Sequence, residues 1–573
     1  MKKGLLLFVL AILCPAIIFA NYQKYYEVSS EEWRFVSWLS KYACVTGPSS
    51  NGPVTGYQLK SAIDRAEKKL GEDNIYVLKA INMLEGSDPI LGGRDSGYIN
   101  IFAAISPEIY METNGIEPES FEGGNTIYDS DWFIADSQNR SPVFDIGFVL
   151  GVKDIAFACF DYNFTRAYHV PDVWDKNFLS NISTFHTENY PFRSGLSIGT
   201  DNLSFIAAKA GVSMGEGYTG NTAIGNNFDY QEFIKAGFFS PNIGLYLNIT
   251  NFDSSHNEKI KNPYEFSHPS FSEYLQLRHA ASLELNLFDH GLISLSFINL
   301  LDTTSSFDLR MLNPFYILHN MFNYKESTIF ESNNMLSFSV SIPIVQRVAM
   351  HFQYTMDQIQ NKKELEAVTG YIDPNAFSLL FNVSYSDEAP NGIYEVFGEV
   401  VYNSPCMYLN QKYFKEGRIT DVIPANNPAY AWSQDYLVGY FNQNDYKGDA
   451  GWSGYYYGPD SIVVALGGTY WGEKYSLSGK AFYMAHGEKG RGSKPENYTF
   501  AGFNTADTAT SYKLSGVVEH SFVVSFEGRY SFSDNFSIRS GFAYSYQWNF
   551  RNQKGENRNN LQCVLGFALK MGV

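Results

Sequence analysis

The stretch 536–550, FSIRSGFAYSYQWNF, decides the fold because its side chains alternate in character. One face of an extended strand would carry mostly apolar residues: Phe536, Ile538, Ser540, Phe542, Tyr544, Tyr546, Trp548 and Phe550. The other face would carry small or polar ones: Ser537, Arg539, Gly541, Ala543, Ser545, Gln547 and Asn549. Successive side chains of a strand point to opposite faces, so the pattern predicts a strand with one apolar surface. That surface contacts the core in a soluble sandwich and lipid in a membrane barrel, and alternation alone leaves both folds open.

Similar segments recur from residue 98 onward, and the lengths of their connections distinguish the two folds. We predict about eighteen strands, with long and short connections in regular alternation. Examples are the long segments 112–143, 302–334 and 403–460 and the short turns 153–154 and 289–291. Outer-membrane barrels have short turns at one end and long loops at the other, whereas a Greek-key sandwich has no reason to alternate so regularly. The sequence therefore predicts an all-β, transmembrane antiparallel barrel over 98–573.

Composition agrees with a barrel in the bacterial outer membrane. The 573 residues include 41 Tyr and 45 Phe, and aromatic residues make up 16% of the chain. Such an excess is typical of barrels with an aromatic girdle at each membrane interface. The last predicted strand ends at Val573, which resembles the assembly signal of these barrels, although an aromatic residue is usual there. We expect an integral monomer whose partners include outer-membrane lipids and the barrel assembly machinery.

The N-terminus is predicted to be a secretory signal peptide over 1–20. Lys2 and Lys3 precede the apolar stretch 4–19, and Ala20 is a suitable cleavage point. The formal net charge of −18 becomes −20 when these two lysines are removed. This acidity excludes nucleic acid as a partner, because phosphate contacts need Lys and Arg.

The segment 21–97 differs from the rest of the chain and is predicted to be helical and periplasmic. Apolar residues recur at helical spacing in 55–70, and Gly71 follows as a stop signal. The stretches 74–84 and 31–40 show further helical patterns. A small helical unit before the first strand is therefore expected.

The sequence offers no motif for a cofactor, and we predict no metal site. Cys44, Cys159, Cys406 and Cys563 lack metal-ligand or redox spacing, although a Cys44–Cys406 bridge stays open. The acidic residues of 112–143 could bind a divalent cation at the cell surface or could simply form a solvated loop.

A barrel that hydrolyses lipids would need a Ser and a His on the same lipid-facing surface. His520 and Ser521 are adjacent, so a strand would turn them to opposite faces. We therefore predict that the chain is not an enzyme.

Aromatic residues are concentrated in the longest loop, 403–460. The candidate carbohydrate-binding residues are Trp432, Trp452, Tyr455, Tyr456 and Tyr457. Sugars present flat C–H faces that pack on aromatic rings, so exposed rings in this loop suit a surface polysaccharide as partner. The alternative is that the rings pack loop against loop and close the barrel.

Charged residues on the predicted inner face bear on a second function, an outer-membrane porin or diffusion channel. Arg278, Glu284 and Arg539 are the predicted lumen-lining residues. They could line a conducting pore, or they could pair across the lumen and block it.

The whole layout resembles that of the capsule assembly protein Wzi family. The stretch 310–315, RMLNPF, followed by Asn333-Asn334 before a strand, is similar to an Asn-Pro element of the family, and 215–221 is similar to its glycine-rich segment. The resemblance implies a surface lectin that binds capsular or related exopolysaccharide. It also implies a barrel occluded by its helical segment and outer loops, with no enzymatic activity and no cofactor.

Overall fold

A computed structural model describes most of the predicted barrel and helical segment. The described residues are 22–85, 91–93, 97–114, 143–165, 179–180, 187–189, 193–225, 227, 231–253, 274–304, 313, 331–358, 375–408, 410–415, 418–419, 430–433, 437–442, 447–488 and 512–572. The predicted signal peptide, Val573 and most of the acidic stretch 112–143 lie outside them.

Eighteen antiparallel strands form one closed barrel, which confirms the predicted fold. They are β1 (Gly97–Ile105 and Glu108–Glu112), β2 (Phe144–Val152), β3 (Ala156–Thr165), β4 (Ser194–Gly199), β5 (Leu203–Ala210), β6 (Gln231–Phe239), β7 (Ile243–Asp253), β8 (Tyr274–Asn286), β9 (Leu292–Thr304), β10 (Glu331–Val345), β11 (Val348–Gln358), β12 (Ala376–Ala389), β13 (Gly392–Asn403), β14 (Ser461–Gly472), β15 (Tyr475–His486), β16 (Glu519–Ser533), β17 (Phe536–Trp548) and β18 (Asn557–Gly572). Pro107 separates the two parts of β1, since proline has no N–H for the ladder. Strand β18 pairs with both parts and closes the barrel.

Shorter strands extend this frame. Leu91–Gly93, Leu179–Ser180 and Thr187–Asn189 pair with β1 and β3. Between β13 and β14, Asn410–Lys415 pairs with Arg418–Ile419 and Tyr430–Ser433, and Leu437–Asn442 pairs with Lys447–Trp452.

The alternate side chains of β17 lie in two different environments, the outside of the barrel and its lumen. Phe542 and Tyr544 on the outer face are 44% and 41% exposed, whereas the intervening Ala543 is 1% exposed and Ser545 is 2% exposed. Large apolar side chains are likewise exposed on the outside of most other strands. An apolar exterior around a closed barrel is the surface of a barrel that spans a lipid bilayer.

Three helices precede the barrel, as predicted. They are α1 (Glu31–Ala43), α2 (Gly56–Leu70) and α3 (Ile75–Glu85). The Ser30 hydroxyl accepts a hydrogen bond from the Trp33 N–H at the start of α1, and the Gln58 side chain accepts one from the Thr55 N–H at the start of α2. Gly71, with a φ of +96°, ends α2. No helix within the described ranges is long and apolar enough to cross a membrane.

The helical segment lies inside the end of the barrel that carries the short turns, which we call the short-turn end. Thr46 N donates to the carbonyl of Asp289 in the β8–β9 turn at 2.9 Å, and Arg347 N in the β10–β11 turn donates to the carbonyl of Lys41 at 3.1 Å. The Trp38 indole donates to the carbonyl of Tyr394 at 3.1 Å. The helices share an apolar core and plug this end of the barrel.

Loops from the opposite end fold into the lumen and form a second core. The β5–β6 loop contributes Met214 and Ile224, and the β13–β14 connection contributes Tyr408, Trp452 and Tyr455. They pack against inward side chains of the wall such as Phe233, Phe252, Ile298 and Leu380. The chain therefore fills much of its own lumen.

We predict that the short turns face the periplasm and the long loops face outward, as in other outer-membrane barrels. In a variant without the native cysteines, Lys554→Cys, between β17 and β18, should react with a membrane-impermeant thiol reagent on intact cells. Asp201→Cys, in the β4–β5 turn, should react only after lysis. Labelling of Asp201→Cys alone on intact cells would reverse the assignment.

Candidate ligand chamber inside the barrel

Two inward-facing rows of strands β14–β17 carry mostly small side chains. One inward row consists of Gly467, Lys480, Ser525 and Ala543, which are register partners on successive strands. The next row toward the short-turn end consists of Thr469, Ser478, Glu527 and Gly541. Strands β6–β9 instead carry large inward residues, including Phe233, Lys235, Phe252 and Arg278. These two rows therefore leave open space beside β14–β17, whereas large side chains fill the opposite side of the lumen.

This space is a cavity of about 500 Å³, which we call the chamber. Its lining includes Trp33 and Arg34 of α1, Tyr218 of the β5–β6 loop, Phe397 of the wall, and Tyr456 and Tyr457 before β14. A second cavity of about 430 Å³, the mouth, continues toward the short-turn end. Both are lined by Arg34, Thr469, Trp471, Ser478 and Glu527, so they adjoin at these residues. Each volume lies in the range of small-molecule sites, roughly 300–1,000 Å³.

Lys41 joins three parts of the molecule at the edge of the chamber. Its ammonium lies 3.2 Å from the Glu395 carboxylate of β13 and donates to the Tyr218 hydroxyl at 3.1 Å. Tyr218 in turn donates to Glu395, and its ring stacks on Phe397 at 3.8 Å between centroids. Burial alone would lower the pKa of Lys41, but Glu395, Tyr218 and Glu216 together more than offset this effect and raise the pKa. Lys41 is therefore a cation that fixes α1 and the β5–β6 loop to the wall.

A second buried carboxylate shapes the glycine-rich segment 215–221. Glu399 accepts hydrogen bonds from the backbone N–H groups of Tyr218 and Thr219, at 2.7 and 2.8 Å. Gly215 and Gly220 adopt φ values of +126° and +131°, which side chains disfavour, so glycine permits this path. The segment forms one border of the chamber.

Two of the five predicted carbohydrate-binding rings line the chamber, namely Tyr456 and Tyr457. The prediction of exposed rings is wrong for Trp452 and Tyr455, which are 1% and 0% exposed. The Tyr455 hydroxyl hydrogen-bonds Thr219 Oγ1 at 2.8 Å, and Trp452 packs in the lumen core. The loop returns into the barrel, so these two rings follow the loop-packing alternative.

The remaining predicted ring, Trp432, lies in the strand Tyr430–Ser433, which pairs with Asn410–Lys415. The surroundings of its side chain lie outside the described part of the structure. Its role in carbohydrate binding stays a prediction.

The three predicted lumen-lining residues point into the barrel and make contacts with other groups there. Arg278 donates to Ser453 Oγ at 2.8 Å and to Thr250 Oγ1 at 3.1 Å. Glu284 accepts from Ser49 Oγ of the helical segment at 2.9 Å. Arg539 lies 3.0 Å from the Glu108 carboxylate and 3.1 Å from that of Glu527. Of the two alternatives, these contacts favour pairing that occupies the lumen.

The structure also places the residues considered for lipid hydrolysis and disulfide formation. His520 faces outward beside the Tyr483 hydroxyl, 2.6 Å from its Nδ1, whereas Ser521 is buried on the inner face, so the predicted opposite orientation is confirmed. Neither Cys44 nor Cys406 is in a disulfide, so the bridge left open by the sequence is not formed. No cluster of metal-ligating side chains occurs within the residues described.

A closed eighteen-strand barrel with an apolar exterior and a lumen occupied by its own chain defines the protein as an integral outer-membrane β-barrel. Its fold is similar to that of Wzi, an Escherichia coli outer-membrane protein involved in group 1 capsule assembly and described as a carbohydrate-binding β-barrel. The TM-score is 0.52 at 10% sequence identity, over 97% of this chain and 99% of Wzi. The predicted resemblance is thus confirmed in fold.

Other barrels match less well. They include the outer-membrane channel DcaP of Acinetobacter baumannii (TM-score 0.37, 8% identity, 85% of this chain and 100% of that chain) and OccAB4 of the same organism (TM-score 0.38, 9% identity, 83% and 98%). No protein-family model and no curated protein matches the sequence.

We predict that Lys41→Met destabilises the folded barrel by about 3 kcal/mol, because Glu395 is left buried without its cation. Unfolding in detergent, followed by the heat-dependent shift in gel migration, measures the change. Lys69→Met, at an exposed site on α2, is the matched control and should have little effect. Adding Glu395→Gln to Lys41→Met should restore part of the lost stability. A double variant that is less stable than Lys41→Met would contradict the assigned pairing.

Proposed function

We propose that this protein binds polysaccharide at the cell surface and acts in capsule assembly. The observation that carries the proposal is the occupied lumen. The helical segment plugs one end, inward loops pack against much of the wall, and a chamber bordered by aromatic rings remains. The fold shared with the carbohydrate-binding barrel Wzi supports the same function.

The chamber has the chemistry that sugar recognition requires. Tyr456 and Tyr457 stand edge to face, with ring centroids 5.0 Å apart, and Tyr457 also contacts Phe482 of the wall. Rings held in this way lose little side-chain entropy when they cover an apolar sugar face. Asn221, Ser478 and Thr469 supply polar groups nearby for hydroxyl groups.

A porin or diffusion channel is the second candidate. The adjoining chamber and mouth favour it, since together they could form a path for small solutes along β14–β17. The plug decides between the two functions, because a simple porin does not need it.

We predict that alanine at both Tyr456 and Tyr457 weakens binding of the native surface polysaccharide. Each ring that stacks on sugar should contribute on the order of 1 kcal/mol, or about fivefold in affinity. Binding of a cell-surface extract to purified protein measures this. Tyr530→Ala, which removes an exposed ring from the outer face, is the control. Unchanged affinity in the folded double variant would remove these rings from the site.

We also predict that the intact protein in planar bilayers shows little steady conductance. Removing residues 26–90 should raise the conductance or destabilise the barrel, because the helices occupy the short-turn end. A large, steady conductance that the deletion leaves unchanged would support the porin and contradict the plugged-barrel proposal.

A further inference from the structure

Arg34 differs from Lys41, Arg278 and Arg539, the cations that have partners inside the lumen. Within the described ranges, its guanidinium makes no hydrogen bond, and no carboxylate lies within ion-pair distance. The side chain is accessible to solvent even though it projects into the enclosed space between α1 and the wall. Arginine keeps its charge in proteins, so a cation stands in the chamber without a close counter-ion.

The two carboxylates that influence Arg34 most are already held by other cations. Glu395 pairs with Lys41 at 3.2 Å, and Glu527 pairs with Arg539 at 3.1 Å. Both pairs are fixed by further contacts: Tyr218 hydrogen-bonds Glu395, and Arg539 also binds Glu108. The guanidinium of Arg34 therefore keeps its five N–H donors available for a ligand.

Arg34 also stands where the chamber adjoins the mouth, together with Trp471 and Thr469. Five cations and four carboxylates line the mouth, although the whole chain has a formal net charge of −18. This local balance lets an anion approach without the repulsion expected from the chain's overall charge.

Two tryptophans also line the chamber. Trp33 precedes Arg34 in α1 and is fixed by a hydrogen bond from its indole to the Ser49 carbonyl at 2.9 Å, and Trp471 lies in the facing wall. A free cation among fixed rings and small polar side chains suits a sugar that carries an acid group, because the planar guanidinium binds a carboxylate through two parallel hydrogen bonds.

We propose that the chamber binds an acidic saccharide, with the carboxylate of one sugar on Arg34. The site extends the proposed polysaccharide-binding function and rests on it for the choice of a saccharide. It assigns the ligand class and the residue that recognises the charge.

Calorimetry on the purified, folded protein tests the site with two matched probes: a linear trimer of galacturonic acid and the same trimer as its methyl ester. The acid should bind at least about tenfold more tightly than the neutral ester, the effect expected of a charge-assisted contact. Arg34→Gln should reduce binding of the acid to the level of the ester and leave the ester unchanged. Arg34→Lys should retain only part of the affinity, because lysine keeps the positive charge but cannot form the two parallel hydrogen bonds of the guanidinium.

Lys69→Gln is the matched control, since it removes the same charge from an exposed position on α2. An equal loss in this control, or equal binding of acid and ester to the unaltered protein, would overturn the proposal. Inorganic phosphate should compete only weakly because it lacks the ring contacts, and competition at the potency of the trimer would refute the saccharide assignment. Gel migration confirms folding of each variant.

A parallel assay with the surface polysaccharide separates this site from the general function. If the acid trimer binds through Arg34 but the surface extract does not bind at all, the proposed function fails and the site stands. If the extract binds and Arg34→Gln leaves trimer binding intact, the site fails and the proposed function stands.

Discussion

The contact among Lys41, Glu395 and Tyr218 is the constraint on which the interior of this barrel depends. It joins the helical plug, a strand of the wall and an inward loop at one point. Each partner is costly to bury alone, and each is satisfied only when the other two are in place. The plug and the loop therefore hold each other in the lumen, and the chamber between them takes its shape from this contact.

The interior is asymmetric because the inward residues of the two walls differ in size. Phe233, Phe252 and Arg278 meet the inward loops on one side, whereas Thr469, Ser478 and Ser525 face open space on the other. The outer faces of the strands are similarly apolar around the barrel. Since lipid contact constrains only the outer face, the inner face is free to combine a packed half with a cavity.

Strand positions could be predicted from the sequence because membrane and lumen impose opposite demands on alternate residues, as in β17. The helices could be predicted because 55–70 shows apolar residues at helical spacing and ends at Gly71. The path of the 403–460 loop could not be predicted from the sequence. The same residues, Trp452 and Tyr455 among them, would suit a loop that points outward and one that returns into the lumen. Arg34 was also missed: only the fold shows that Glu395 and Glu527, hundreds of positions away, act on it and are held by Lys41 and Arg539.

The pattern of satisfied and unsatisfied charges inside the barrel bears on what the lumen is for. A conducting pore keeps its inner charges in contact with water, and their pairing is then weakly constrained. Here Arg278 is buried among hydrogen-bond acceptors, Glu284 is bound to the helical segment, and Arg539 lies between two carboxylates. Such groups hold a wall and a plug together rather than guide ions. Against that background a lumen charge without a close partner among the described residues is conspicuous. Arg34 faces a space of ligand size and has no such partner among the described residues, which is the basis for proposing a binding site rather than a passage.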